Sequence, residues 1–279
     1  MQSTKVTRRD LIAAAGLAGL AQALPVRAEG GLVFAVNEGV TYATSTKPLA
    51  ERFHDVQEDL QKLLKRPVRV VGVPDYKQLV AGLGAQQFDI AWVHPAHHAI
   101  RALKGGGYHL VGLTKGYTEY RASFLVAGTN TLKSVTDLRA ARVGAPDEDS
   151  VTSVIARATL REALGGQLPQ ITYVRYQDAV PFMVEHGMAD SGVTASGAVV
   201  KSWQDKGGKV LARSKPVPIK QLLASSKAVN GTQLAQLRSY FAGLATTESG
   251  KKRLEPLGVQ GFEEFDEQVL AGIGGWLGV

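Results

Sequence analysis

Cysteine is absent from the 279 residues, which excludes disulfides, thiolate metal ligands and a cysteine nucleophile. Aromatic residues make up only 7%, and no apolar run reaches the ~18–20 residues a membrane-spanning helix needs. An excess of one charge is nearly missing as well. Of the net +7, residues 1–28 supply +3, through Lys5, Arg8, Arg9 and Arg27 against Asp10. The 28 basic and 24 acidic residues that remain are evenly spread, with no basic stripe interleaved with aromatics, so nucleic acid is not an expected partner. Also missing are a Gly-rich phosphate loop ending in Lys-Ser/Thr, a His-Glu-x-x-His pair and a dinucleotide fingerprint. No nucleophile elbow surrounds any serine; Thr194-Ala195-Ser196-Gly197 comes closest. Ser150, His94 and Asp190 could formally supply a triad, but without that elbow no enzyme and no cofactor are expected. What is present is globular: 44% hydrophobic and 20% charged residues, with 31 glycines for many short loops.

Residues 1–28 divide into a polar start ending Thr7-Arg8-Arg9-Asp10, an apolar run from Leu11 to Leu24, and Val26-Arg27-Ala28 with small residues at a cleavage position. This is similar to a twin-arginine export signal, with leucine where phenylalanine is commoner. A membrane anchor is the other reading, and a run of 14 residues rich in Ala and Gly is too short for it. Cleavage after Ala28 would leave Glu29–Val279 in the periplasm.

The body alternates short apolar runs with helical patterns. Strands are expected at Gly31–Asn37, Pro67–Val73, Phe88–Val93 and His109–Thr114. Helices between them are expected at Pro48–Lys65, Tyr76–Gln86 and His97–Leu103. The pattern restarts at Ser123–Ala127. Strands at Arg142–Ala145, Ile171–Tyr176, Asp190–Thr194 and Lys209–Ser214 alternate with helices at Ser134–Leu138, Ser150–Leu164, Ala179–His186 and Gly197–Gln204. Beyond Lys220–Ser226 come helices at Gly231–Ala245 and Thr247–Leu257. Strand–helix alternation predicts parallel βαβ units. The restart predicts two α/β lobes, residues 29–120 plus 216–279 and residues 121–215. A strand out near Tyr120–Ala127 and a strand back near Val210–Pro218 would form a double hinge, with ligand in the cleft at the carboxyl ends of the strands.

Two clusters carry candidate chemistry. Pro146-Asp147-Glu148-Asp149-Ser150-Val151-Thr152-Ser153 opens a strong helix, where unpaired N–H groups, the helix dipole and hydroxyls can together hold an oxyanion without a cation. Simple capping by Asp149 or Ser150 is the alternative. His94-Pro95-Ala96-His97-His98 gathers three of the six histidines. It could hold metal, open a helix as a plain polar loop, or donate from His94 or His97 to a bound anion. The donor reading would make binding pH-sensitive near 6.5, and no metal is expected, because no fourth ligand shares a face with these histidines.

The first cluster resembles the Asp-Pro-x-Ser-Thr-Ser-Gly anion-binding turn of the phosphate, phosphite and phosphonate solute-binding proteins of ABC importers. Asp147 and Ser150 match, while Val151, Thr152 and Ser153 replace Thr, Ser and Gly. Val73-Pro74-Asp75-Tyr76, Phe88-Asp89-Ile90-Ala91-Trp92, Tyr120, Asp137-Leu138 and Gly187-Met188-Ala189-Asp190 fit the same family in order and spacing, over roughly Leu32 to Leu257. The resemblance implies a type II periplasmic binding protein fold and a monomer serving an inner-membrane ABC permease. It also implies a phosphorus oxyanion or phosphonate ligand held by Ser150, Thr152, Tyr76 and Tyr120, the backbone N–H groups of Val151 and Thr152, and Gln177 in place of a family histidine. Where amine-binding relatives have acids, this chain has Gly197 and about Lys220, which implies a smaller or non-amino oxyanion. A sensory role, docking on a membrane kinase, is the alternative to transport.

Overall fold

The computed structural model describes residues 30–39 and 47–279; the expected export signal, residues 1–28, lies outside them. The first sheet starts with β1 (Leu32–Asn37), whose six residues are all buried, the mark of an interior strand covered on both faces. α1 (Leu49–Leu64) follows and turns Phe53, Val56, Leu60 and Leu64 inward at three- and four-residue steps. Next come β2 (Val68–Gly72), α2 (Tyr76–Gly84), β3 (Ile90–Val93), α3 (Ala96–Lys104) and β4 (Tyr108–Thr114). The chain then crosses into β5 (Ser123–Val126), β6 (Arg142–Ala145), α4 (Val151–Leu164), β7 (Gln170–Tyr173), α5 (Val180–Glu185), β8 (Ser191–Thr194), α6 (Gly197–Asp205) and β9 (Lys209–Arg213). It returns through β10 (Gln221–Ser225) and ends with α7 (Gly231–Gly243), α8 (Glu248–Leu254), β11 (Phe262–Glu263) and α9 (Glu267–Leu277).

Among the described residues the strands form two sheets, in the orders β11-β4-β10-β3-β1-β2 and β7-β6-β8-β5-β9. Neither is purely parallel, contrary to the βαβ expectation. β1 runs parallel to β2 and β3, but β10 lies antiparallel between β3 and β4. β5 is likewise antiparallel to β8 and β9, while β6 is parallel to β7 and β8. The physical reason is the crossing. A strand entering a sheet through the hinge, as β5 and β10 do, arrives from the cleft side and runs opposite to strands fed by a helix.

The hinge itself is a short antiparallel ladder. Val217 N–H donates to the Tyr120 carbonyl at 2.9 Å, Ile219 N–H to Tyr117 at 2.9 Å, and Ser214 N–H to Ala122 at 2.8 Å. Behind the first sheet, Phe34, Phe53, Trp92, Phe262 and Phe241 form a chain of ring contacts 4.9–6.1 Å apart. The indole N–H of Trp92 donates to Thr114 Oγ1 at 2.9 Å. This packing ties β1 and β3 to α1, β11 and α7.

α9 was not expected from the sequence. It packs on both α3 and α4, helices that belong to different sheets. Arg161 of α4 donates to the Leu277 carbonyl at 2.9 Å, and the Trp276 indole donates to Glu162 at 3.1 Å.

Candidate ligand-binding site

α4 begins where the sequence places it. β6 ends at Ala145, and the turn after it is drawn tight by Asp147, which accepts from Asp149 N–H at 2.9 Å. Ser150 is the N-cap; its hydroxyl accepts from Ser153 N–H at 3.2 Å. The first intrahelical bond runs from Val154 N–H to the Ser150 carbonyl, so the N–H groups of Val151 and Thr152 lie ahead of the helical ladder. Ser150, Val151 and Thr152 are all buried. A buried helix start of this kind, rich in donors, suits an anion.

Three of the expected residues meet there. Tyr120, at the hinge, makes a 2.7 Å bond to Thr152 Oγ1 through its hydroxyl, and Gln177 Nε2 donates to the same phenol at 3.4 Å. The other end of Gln177 ties down the loop after β8: its Oε1 accepts from Thr194 Oγ1 at 3.0 Å, Ala195 N–H at 2.6 Å and Ser196 N–H at 3.1 Å. Hinge, anion turn and β8 loop thus share one hydrogen-bonded junction. Gln177 links the hinge tyrosine to the loop after β8.

The remaining two expected residues sit on the first lobe. Tyr76 opens α2 behind its N-cap Asp75, with its ring 5.5 Å from that of His98. His94 is almost fully buried, and its Nδ1 lies 3.1 Å from the Ile219 carbonyl. A carbonyl only accepts, so Nδ1 carries the proton and a neutral ring has a lone pair at Nε2. Burial, reinforced by the charge of Lys220, pushes His94 down to about 4, so the ring is neutral near pH 7. That geometry opposes the expected donation from His94 to an anion; it makes the ring a structural wedge against the hinge. His97 and His98 are buried too, with rings 4.0 Å apart, and burial first and neighbouring charges second push them to about 2 and about 4. Among the described residues no three His, Asp or Glu side chains gather as a metal site.

Beside this junction opens a cavity of about 1390 Å³. Tyr120 and Ala195 line it, as do Gly197, Tyr117, Arg52, Arg121, Ile219 and Lys220. Arg52, buried on α1, is neutralised by a two-pronged pair with Glu38 at 2.6 and 2.9 Å. Lys220 instead lies over aromatic faces, its Nζ 4.2 Å from the Tyr117 ring centre and 5.0 Å from that of Trp92. Its burial lowers its pKa, partly offset by Glu38. Sequence reasoning missed Tyr117, and Arg52 left a signal that could have found it: a charged residue set inside the apolar stripe of α1.

Two mixed sheets flanked by helices and joined by an antiparallel double crossing define a type II periplasmic binding protein. The solved structures similar in fold agree. XAC2383 from Xanthomonas citri bound to ATP has a TM-score of 0.70 at 14% identity, covering 89% of this chain and 97% of that one. PhnD1 from Prochlorococcus marinus in complex with methylphosphonate gives 0.62 at 16%, covering 88% and 97%. A binding protein component of an ABC phosphonate transporter from Pseudomonas aeruginosa gives 0.55 at 16%, covering 88% and 85%. No protein of curated function matches the sequence. The model of the ABC transporter, phosphonate, periplasmic substrate-binding protein family matches residues 39–270, and the chain belongs to that family.

Proposed function

We propose that this protein captures a phosphorus oxyanion, as phosphonate or phosphate, in the periplasm and hands it to an inner-membrane ABC permease, without chemical turnover. The observation that carries the reading is the bond between Tyr120 and Thr152, which joins the hinge to the anion turn. The oxyanion is met by the hydroxyl of Thr152, the N–H groups of Val151 and Thr152 and the Tyr120 phenol, with Tyr76 contributing from the first lobe. Ser150 keeps the helix start in shape, and Gln177 holds Tyr120 and the β8 loop. His94 is left out of the donor set. Donors aimed at a negative charge in a buried site replace its water shell without bringing a competing cation. Lobes comprising residues 29–120 plus 216–279 and residues 121–215 would close on the ligand about the Tyr120–Val217 ladder, because both contribute contacts. The similar structures bound to ATP and to methylphosphonate have a phosphorus oxyanion in common, which supports that part of the ligand as the shared determinant.

Titration calorimetry of the protein from Glu29 onward, with methylphosphonate, phosphite, phosphate and methanesulfonate, tests the reading. Binding of at least one phosphorus oxyanion in preference to the sulfonate is expected. Binding of the sulfonate alone would overturn it.

A further inference from the structure

The cavity beside the anion turn is lined by six basic and three acidic side chains. Four of the basic groups are already matched: Arg52 by Glu38, Arg121 by Glu119 at 3.0 Å, Lys201 by Asp205 at 2.6 Å and Lys47 by Glu51 at 3.8 Å. Lys220 differs from these. It is largely buried, its ammonium is seated on Tyr117 and Trp92, and among the described residues no carboxylate lies within ion-pair distance of it. Aromatic faces orient a cation but do not neutralise it, so a largely buried ammonium at a cavity wall favours an anion arriving from the cavity. Gly197, without a side chain, lines the same cavity, and a Cβ there would meet nothing within 4 Å. Tyr120 is a wall of this cavity and also bonds Thr152 of the anion turn, so cavity and turn share one residue.

We propose that the ligand is a two-headed acid: a phosphonate or phosphate ester bound at the Thr152 turn, with a second anionic group, carboxylate or phosphoryl, paired to Lys220. This inference rests on the phosphorus-oxyanion reading above and narrows its substrate class. Non-amino ligands are retained from the sequence expectation; a small ligand is not, since the cavity has room for a chain between the two heads.

The test is calorimetry with three probes: methylphosphonate, phosphonoacetate and phosphonoacetamide. The last two are nearly the same size and differ in the charge of the second group. Phosphonoacetate is expected to bind at least about tenfold more tightly than phosphonoacetamide, the scale of a charge-assisted hydrogen bond. In Lys220→Gln the two should bind within about twofold of each other, and Lys220→Arg should keep the preference for the acid. Equal affinity of wild type for acid and amide, or a preference that survives in Lys220→Gln, overturns the inference and leaves the phosphonate reading standing if methylphosphonate binds. Failure of all three probes to bind folded wild-type protein overturns the inference, and the phosphorus-oxyanion reading falls with it if phosphite and phosphate fail to bind as well. The wild-type comparison decides even if Lys220→Gln does not fold.

Discussion

At the scale of single residues, the proposed site rests on hydroxyls whose shape can be kept while their chemistry is removed. Thr152 is fully buried, so Thr152→Val preserves volume and deletes one donor and the partner of Tyr120. We expect a loss of about 10- to 150-fold in methylphosphonate affinity by calorimetry, equivalent to about 1.5–3 kcal/mol. Tyr120→Phe should do the same, and the double variant should lose less than the sum, because the two hydroxyls share one bond. Strict additivity would separate them into independent contacts. Ser150 and Thr152 were legible in the sequence because a cap and its hydroxyls are set by residues within one helical turn. The seat of Lys220 was not. Lys220 meets Tyr117 and Trp92 only after three distant segments converge, and from sequence the position registered merely as a missing acid.

Among the elements, α3 illustrates how burial sets a pH limit. His94 precedes it, His97 and His98 form its first turn, and all three are held below the ordinary imidazole value of 6.5. Between about pH 4 and 6.5 the unfolded chain therefore binds more protons than the folded one, so stability rises with pH through that window and is lost as pH falls. Each histidine contributes a slope on the order of 1.4 kcal/mol per pH unit there. The urea midpoint should be flat from pH 7 to 8 and fall steeply from 6.5 toward 4.5; a flat midpoint down to pH 4.5 would show that these rings are hydrated. α9 teaches a different lesson about legibility. α1 announces itself by apolar residues at three- and four-residue steps, whereas Glu-Gln-Val-Leu-Ala-Gly-Ile-Gly-Gly-Trp-Leu carries three glycines and reads as a loop. The reason for one of them lies in another segment: a Cβ on Gly274 would come within 2.5 Å of Ile100 Cγ2 on α3, while one on Gly272 would meet nothing. Gly274→Ala should thus destabilise by about 1–3 kcal/mol through overpacking, and Gly272→Ala should stabilise by up to about 1 kcal/mol, both read from urea unfolding. Equal effects of the two would place α9 away from α3.

For the molecule as a whole, alternation of strand and helix carried the two-lobed plan, since each βα unit writes its own periodicity. Strand direction was not written there: an apolar run such as Gln221–Ser225 is the same read either way, and only the return through the hinge makes β10 antiparallel to β3 and β4. That placement has a consequence for the order of folding. β10 stands between β3 and β4, yet about a hundred residues separate it from them in the chain, whereas the second sheet is drawn from the uninterrupted stretch between Ser123 and Arg213. Closing the longer loop takes more entropy and is slower. In pulse-labelled hydrogen exchange during refolding, amides of β5 to β9 should gain protection before those of β4 and β10; earlier protection of β4 would refute this order. On the ribosome the same geometry keeps the facing edges of β3 and β4 unpaired while the entire second lobe is made, and the nascent chain must shield those edges until residues 221–225 emerge.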